Sequence, residues 1–251
     1  MNLRNITVLA IGLALAADAL AVDVTGTRNA QVGSTATINA VLTDSDTGND
    51  PDEGQHGWRV WTTADPNGSD FKAGVNSVGV MTPIAGLTVG DLVASTSGGA
   101  LRYDLAWEDG TNTASQALDG TNESVLDSGG PVGGFEIPVT LTGEEGAITL
   151  YGGAVKNGSG GSGGWGRAIV LDANDTVLYN SADSGEDLQT QNVSGKQAGA
   201  KYTFEYANAS PGEVLRVQWI SQANPLSDET LTLSAVAELA IAPPHDGGED
   251  Q

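Results

Sequence analysis

The sequence predicts an all-β protein built as an antiparallel β-sandwich. Apolar and polar residues alternate strictly in several runs of the chain, which is the pattern of strands that bury one face. Clusters of Gly, Pro, Asn and Asp separate these runs at spacings typical of sandwiches. No stretch with a 3.6-residue apolar period is long enough for a major helix. These three observations predict the fold class before any motif is considered.

The alternating runs are the predicted strands, and we expect the apolar residues of each run to share one face of a sheet. Trp107 and Trp219 fit the alternation and are predicted to lie in the core. Pro138 lies inside a run, and because proline cannot donate to a sheet ladder, an edge position or a bulge is expected there. The segment 173–175 is predicted to form a hairpin turn. The predicted strands include 101–107, 135–142, 202–206, 215–219 and 231–239.

The N-terminus has the pattern of an export signal. Arg4 precedes an apolar run at 6–17, and Ala19 and Ala21 frame a small-residue cleavage site, which predicts a signal peptide over 1–21. A membrane anchor is the alternative, but the apolar run is shorter than the ~20 residues that cross a bilayer. The mature protein is therefore expected to be secreted, with an extracellular or a periplasmic location.

The rest of the chain is expected to divide into two parts. Residues 22–241 are predicted to form the β-sandwich domain, and residues 242–251 are predicted to be a disordered acidic tail. No segment after the signal is apolar over a spanning length, so no membrane span is expected. Because the chain has no cysteine, its core alone is expected to hold the fold.

Charge and composition exclude several classes of function. The chain carries 32 Asp and Glu against 10 Lys and Arg, a net charge of −22, which repels phosphate backbones, so no nucleic-acid partner is expected. Without cysteine and with 2 His, thiolate zinc sites and His-rich metal centres are unavailable. A serine triad would depend on His56, and no nucleophile elbow stands between a predicted strand and a predicted helix. A catalytic role is therefore not favoured, although a glycosidase-like carboxylate pair stays open.

A series of motifs runs in order through 57–239. It resembles a jelly-roll-type β-sandwich module of secreted bacterial proteins, similar to carbohydrate-binding modules, which often accompanies polysaccharide-processing or adhesive domains. The resemblance implies a jelly-roll-like fold and an extracellular location, and it assigns no activity to individual residues. The motifs that carry it are Trp58-Arg59-Val60-Trp61, Phe71-Lys72-Ala73-Gly74, 107–115, Gly134-Phe135-Glu136-Ile137, Leu150-Tyr151-Gly152 and 202–219.

Tryptophans supply the candidate ligand-binding residues. Trp165 is surrounded by glycines that cannot bury it locally, so we expect it on a rim where it could contact a ligand. Trp58 and Trp61 would face opposite sides of a strand, so only one is expected in the core, and an exposed indole could stack on a sugar ring. Arg59 lies between them and completes the predicted set. The alternative is that both tryptophans are buried, at the two surfaces of a sheet or under a loop.

An acidic segment supplies a candidate metal site. Hard oxygen ligands clustered on a loop are what Ca²⁺ prefers, so calcium is the cofactor that the sequence suggests. The segment lacks the glycine of an EF-hand loop and contains a proline, and its alternative interpretation is a solvated acidic loop. The predicted ligands are Asp44, Asp46, Asn49, Asp50, Asp52 and Glu53.

Three functions remain at this point. The first is a secreted, non-catalytic protein that binds carbohydrate or a cell-surface or matrix partner through loops on a rigid scaffold. The second is an extracellular structural or assembly subunit of a matrix, an appendage or a surface layer, joined through exposed strand edges. The third is a polysaccharide-active hydrolase or lyase that uses a pair of carboxylates.

Overall fold

A computed structural model describes most of the predicted domain. The first 20 residues, the acidic segment 44–53, the Gly/Ser-rich segment 158–164 and the predicted tail lie outside the described residues. The described residues are 21–33, 37–42, 54–62, 64–86, 88–95, 102–108, 110–111, 115–121, 124–127, 133–157, 165–189, 197–221 and 228–240.

The described chain is made of β-strands, as the sequence predicts. A 3-10 helix at Val89–Asp91 is the one helical element among the described residues, and none of these residues forms a helix long and apolar enough to cross a membrane. The strands are β1 (Asp23–Gly33), β2 (Thr37–Leu42), β3 (Gly57–Val60), β4 (Asp70–Phe71), β5 (Thr82–Ile84), β6 (Leu92–Ser95), β7 (Arg102–Glu108), β8 (Ser115–Thr121), β9 (Ser124–Asp127), β10 (Gly134–Thr140), β11 (Gly146–Asn157), β12 (Trp165–Leu171), β13 (Val177–Asn180), β14 (Leu188–Gln189), β15 (Gln197–Ala207), β16 (Val214–Ser221) and β17 (Asp228–Ala240).

The strands form three sheets. The central sheet has 8 strands in the order β1-β15-β11-β17-β3-β4, with β9 and β6 joined to it through β17. The outer sheet has 6 strands in the order β13-β12-β16-β10-β5, with β14 paired to β12. These two sheets are antiparallel and pack face to face, which confirms the predicted sandwich. The small sheet, β2-β7-β8, contains the parallel pair β2 and β7.

The first core lies between the central and outer sheets and is centred on Trp219 of β16. Its indole lies against Gly152 of the central sheet and Gly166 of the outer sheet, where an added Cβ would come within 2.8 Å and 2.1 Å of the ring. Trp219 Nε1 donates a hydrogen bond of 3.2 Å to the carbonyl of Gly153. A large aromatic residue therefore fixes the spacing of the two sheets, and the two glycines leave room for it.

The second core lies between the other face of the central sheet and the small sheet. Trp58 of β3 and Trp107 of β7 meet here with ring centroids 6.1 Å apart. Trp107 Nε1 also donates a hydrogen bond of 2.9 Å to the buried carboxylate of Asp70. The central sheet therefore buries side chains on both of its faces. The predicted core positions of Trp107 and Trp219 are confirmed.

A bulge in β17 changes which face its residues present. In the pairing with β11, Tyr151 lies opposite Ala235 but Gly152 lies opposite Leu233, which leaves Ser234 as the extra residue. Leu233 consequently packs in the first core while Ala235 packs in the second. The expectation that all apolar residues of 231–239 share one face is therefore wrong beyond Ser234.

Pro138 lies inside β10, which has β16 on one side and β5 on the other, so the edge position expected from the sequence is wrong. Strand β10 pairs with β16 along 134–140 but with β5 only along 134–136. Beyond β5, Gly79 N donates to the carbonyl of Pro138 at 2.8 Å, so the ring nitrogen of Pro138 also points to this less extensively paired side. A missing N–H donor therefore interrupts no regular ladder.

The predicted hairpin turn at 173–175 is also confirmed, because it connects β12 to β13. Asp172 Oδ1 accepts hydrogen bonds of 2.8 Å from the backbone N–H groups of Asn174 and Thr176. These hydrogen bonds lower the pKa of the Asp172 carboxyl. Asp175 adopts a φ of 65°, a conformation that Asp tolerates in turns.

Candidate ligand-binding face

The outward face of the outer sheet is the candidate site. Buried and half-buried residues alternate along β12 and β16, so one set of side chains points into the first core and the other points away from it. Among the described residues, no strand packs against this outward face. The central sheet, in contrast, is covered on both sides. The outward set on β12 and β16 comprises Trp165, Arg167, Ile169, Val214, Arg216, Gln218 and Ile220.

Trp165 begins β12 at one corner of this face. It is half-buried and pairs in register with Gln189 of β14. The next residue, Gly166, faces inward and lies against Trp219, so the alternation of the strand directs Trp165 outward. The predicted rim position of Trp165 therefore corresponds to a place at the end of a regular, well-packed strand.

Arg167 lies two residues along β12 on the same outward face. Its Nε donates to the carboxylate of Asp187 at 3.2 and 3.3 Å, and its Nη2 donates to the same carboxylate at 2.8 Å. Asp187 is buried, and its Oδ1 also accepts a hydrogen bond of 2.6 Å from Ser181 Oγ. Within the described part of the chain, Nη1 of Arg167 has no hydrogen-bond partner. The hydrogen bonds to Asp187 thus hold the guanidinium in one orientation, and they do not use Nη1.

The segment that carries Asp187 is tied to the central sheet. Arg28 of β1 donates from Nη1 to the carbonyls of Glu186 and Asp187 at 3.0 and 2.8 Å. Tyr202 of β15 donates its hydroxyl to the carbonyl of Glu186 at 2.6 Å. Burial raises the pKa of Tyr202, which keeps this hydroxyl protonated at neutral pH. These contacts give Arg167 a fixed carboxylate partner.

Tyr179 adds a further link to the same segment. Its hydroxyl donates to Glu186 Oε2 at 2.8 Å, and burial raises the pKa of Tyr179 to about 12. The ring of Tyr179 lies over Gly26 of β1, where an added Cβ would be 2.5 Å from it. The side of the outer sheet next to Trp165 is therefore rigid, because both sheets hold it.

A polar row crosses the middle of the same face. Gln218 Nε2 donates to Glu136 Oε2 of β10 at 2.7 Å. Arg216 Nη1 lies 3.5 Å from the same carboxylate oxygen, and its Nη2 donates to Asp175 at 2.5 Å. The pKa of Arg216 is raised, mainly by its hydrogen bond to Asp175. Each arginine of this face is therefore paired with at least one carboxylate.

Two of the predicted ligand-binding tryptophans lie in the interior. Trp58 and Trp61 are both 0% exposed, Trp58 in the second core and Trp61 in the first. Trp61 Nε1 donates to the carbonyl of Pro66 at 3.2 Å. The expectation that only one of them could be in the core is wrong, because the small sheet creates a second core. Neither ring has an exposed face on which a sugar could stack. The alternative interpretation, in which both tryptophans are buried at the two surfaces of a sheet, is the correct one.

Arg59, the fourth predicted ligand-binding residue, is buried as well. Its Nε and Nη2 donate to the carbonyl of Val78 at 3.3 and 3.2 Å, and its Nη1 donates to the carbonyl of Asn67. The guanidinium lies 4.5 Å from the ring centroid of Phe71. Burial lowers the pKa of Arg59, and the charge of Asp65 opposes this effect. Arg59 therefore joins loops inside the protein and is not presented to a ligand.

The predicted calcium ligands belong to the acidic segment 44–53. Asp44, Asp46, Asn49, Asp50, Asp52 and Glu53 all lie outside the described residues, so calcium binding there stays a prediction. Within the described ranges, no group of three or more His, Cys, Asp or Glu residues could hold a metal ion.

The sequence suggests Trp165 as a candidate ligand-binding residue but does not point to the residues around it. Arg167 could have been found from its spacing, because it follows Trp165 by two positions in an alternating run. Asp187 could not have been found in this way, because it lies 20 residues further along the chain. The turn that follows β13 brings its segment next to β12. Gln218 and Glu136 lie far apart in sequence and meet through the register of β10 and β16.

Comparisons with known proteins provide no family. No family model matches the chain, and no curated protein matches it. A solved structure of the enzymatically active domain of bacteriophage CBA120 tailspike protein 4 resembles part of it, with a TM-score of 0.35 and 7% sequence identity. The similarity covers 66% of this chain and 19% of that chain. Similarity at this level carries no argument about function.

Proposed function

We propose that this protein is an exported, non-catalytic β-sandwich that binds carbohydrate through the outward face of its outer sheet. The observation that carries the proposal is the placement of Trp165 and Arg167 on the same face of β12, next to each other on a rigid strand. An aromatic surface beside an oriented hydrogen-bond donor is the combination that sugar recognition uses.

The chemistry of the two side chains fits a sugar ring. A pyranose presents a C–H surface that can stack on the indole of Trp165, and its hydroxyl groups can accept a hydrogen bond from Nη1 of Arg167. Because Asp187 and the packing of β12 already fix Arg167, little side-chain entropy remains to be lost on binding. Since none of the described strands packs against this face, a polymer could extend past both residues.

The engaged carboxylates of this face favour binding over hydrolysis. Asp187 accepts hydrogen bonds from Arg167 and Ser181, and Glu136 accepts one from Gln218. A glycosidase of the usual kind needs one carboxyl group that stays protonated to donate to the leaving oxygen. Both carboxylates are already used as hydrogen-bond acceptors that hold neighbouring side chains in place, which suits a supporting role.

Export supports an extracellular or periplasmic ligand. The basic residue, apolar run and small-residue site at 1–21 have the order of a signal peptide. Polysaccharides and surface-attached glycans are available in those compartments, and the strong acidity of the chain would keep it soluble there.

Retention on immobilised polysaccharides tests the proposal. The full chain is expressed with its own signal, purified after export, and tested against a panel of soluble and insoluble glycans by pull-down and calorimetry. Trp165→Ala is expected to weaken binding at least about tenfold, because it removes the stacking surface. Val75→Ala is the matched control, since Val75 is 82% exposed on a loop outside the outer sheet and its loss should change nothing.

Two results would overturn the proposal. One is unchanged affinity of Trp165→Ala for a glycan that the wild-type protein binds, provided that both proteins melt at the same temperature. The other is a lack of retention on every glycan of the panel. In the second case, concentration-dependent light scattering would favour the assembly function instead.

A further inference from the structure

The charges on the outward face of the outer sheet are compensated within the protein. Arg167 is paired with Asp187 at 2.8 Å, and Arg216 is paired with Asp175 at 2.5 Å and with Glu136 at 3.5 Å. Two cations therefore meet three carboxylates in these contacts. No net positive charge is left on this face by these groups to attract an anionic ligand.

A ligand anion would have to compete with a buried carboxylate for Arg167. The Asp187 side chain is 8% exposed and is held by Ser181 Oγ in addition to Arg167. If a uronate or sulfate group took over the Nε and Nη2 donors, Asp187 would stay behind as a buried charge without its partner, which is strongly unfavourable. Nη1, which has no hydrogen-bond partner among the residues that the structure describes, can be used by a neutral hydroxyl without such a cost.

The charge of the whole chain acts in the same direction. At −22, the protein repels polyanions over a Debye length of roughly 8 Å at physiological ionic strength. A neutral polymer meets no such barrier, and its affinity should not depend on salt. Ile220, which lies opposite Arg167 in the register of β16, adds an apolar neighbour that suits a C–H surface.

We propose that the ligand of this face is an uncharged polysaccharide, and that Asp187 acts as the positioning residue that sets this preference. The inference rests on the proposed function, since it names the ligand class of the same site. Asp187 orients Nη1 of Arg167 towards the ligand and at the same time cancels the arginine charge. The same carboxylate of Asp187 that positions Arg167 therefore also disfavours the binding of anionic glycans.

Salt-dependent retention on two sets of glycans tests this inference. The wild-type protein is tested on neutral glucans, xylans and mannans and on alginate, polygalacturonate and dextran sulfate, at 20 and 500 mM NaCl, with calcium and with EDTA. We expect retention on a neutral glycan, with Kd changing less than about twofold between the two salt concentrations. No retention is expected on the anionic set under any of these conditions.

Retention on an anionic glycan alone, lost at high salt, would overturn the inference and leave the proposed function standing. Absence of retention on both sets would overturn the proposed function and the inference with it. Neither outcome depends on a variant, so the test does not fail if a substitution unfolds the protein.

The variant Asp187→Asn tests whether Asp187 sets the preference for uncharged glycans. This variant leaves the charge of Arg167 uncompensated and its orientation less restricted. For the folded variant we expect weaker binding of the neutral glycan, by about threefold or more, together with new, salt-sensitive retention on an anionic glycan. Unchanged neutral affinity and no anionic retention, with an unchanged melting temperature, would overturn the role of Asp187.

Discussion

Gly166 and Trp219 are in contact so close that a Cβ on Gly166 would lie 2.1 Å from Cζ2 of the indole. Gly166 belongs to β12 and Trp219 belongs to the neighbouring strand β16, so the contact joins two strands of the outer sheet. The indole reaches across to Gly152 of the central sheet as well. This contact sets the position of the strand that presents Trp165 and Arg167.

Gly166→Ala is expected to destabilise the protein by about 1–3 kcal/mol, because neither the strand backbone nor the indole can move without disturbing the first core. Chemical denaturation measures the free energy of unfolding. Gly90→Ala is the matched control, since its nearest contact is Thr88 Oγ1 at 3.7 Å and the change should stay within about 0.5 kcal/mol. Equal stability of the two variants would contradict the proposed packing.

The packing of the small sheet against the central sheet can be tested at Trp107 of β7 and Trp58 of β3. Trp107→Phe removes the hydrogen bond to Asp70 and leaves a buried carboxylate oxygen without that donor, a loss of about 1–3 kcal/mol. Trp58→Phe removes an Nε1 that has no hydrogen-bond partner among the described residues, so only packing is lost. Denaturation should find Trp107→Phe the less stable variant. The reverse order would argue against the Asp70 hydrogen bond.

Alkaline pH is expected to destabilise the fold through its buried tyrosines. Burial raises the pKa of Tyr206, and the nearby Glu238 raises it further. Burial also raises the pKa of Tyr202, and it raises the pKa of Tyr179 to about 12. The folded state therefore keeps protons that the unfolded state loses, so stability is retained below pH 10 and decreases as the pH rises above it.

Melting curves recorded from pH 8 to pH 11.5, with tyrosinate absorbance followed in parallel, measure this effect. Tyr206→Phe should be less stable than the wild type at pH 8, because it loses the 2.8 Å hydrogen bond to Glu238. Its stability should also decrease less steeply with pH. If the stability of the variant and of the wild type decreased equally steeply with pH, this would contradict a raised pKa of Tyr206.

Arg59→Lys separates an internal role from a ligand-binding role. A lysine cannot donate to both Val78 and Asn67 as the guanidinium does, so we expect a loss of about 2–3 kcal/mol in unfolding free energy. Affinity of the folded variant for polysaccharide should equal that of the wild type. Weaker glycan binding at full stability would return Arg59 to the ligand-binding set.

Calcium removal tests the acidic segment 44–53. If it binds Ca²⁺ only in the native state, EDTA should lower the melting temperature by roughly 5–10 °C relative to calcium at about a hundred times its Kd. Asp50→Asn combined with Asp52→Asn should abolish the difference, whereas Asp183→Asn, an exposed carboxylate elsewhere, should preserve it. The same melting temperature with and without EDTA would leave the segment as a solvated loop.

Local patterns predicted the strands well, and the reason is steric. Side chains alternate along a strand, so Phe135, Ile137 and Val139 had to share a face, and all three are buried in the first core. The turn at 173–175 was predictable for a similar reason, since Asp and Asn side chains bond to the backbone beside them. Trp165 was predicted on a rim because its glycine neighbours could not cover it.

Contacts between distant strands decided the rest. The spacing of Trp58 and Trp61 in the sequence places their side chains on opposite sides of the chain at β3. The small sheet, packed as a third layer, is the reason why both sides are buried. Likewise, one bulge at Ser234 moved the residues after it to the other face. Alternation depends on neighbouring residues, whereas burial depends on what covers a face, and that is decided by segments far away in the chain.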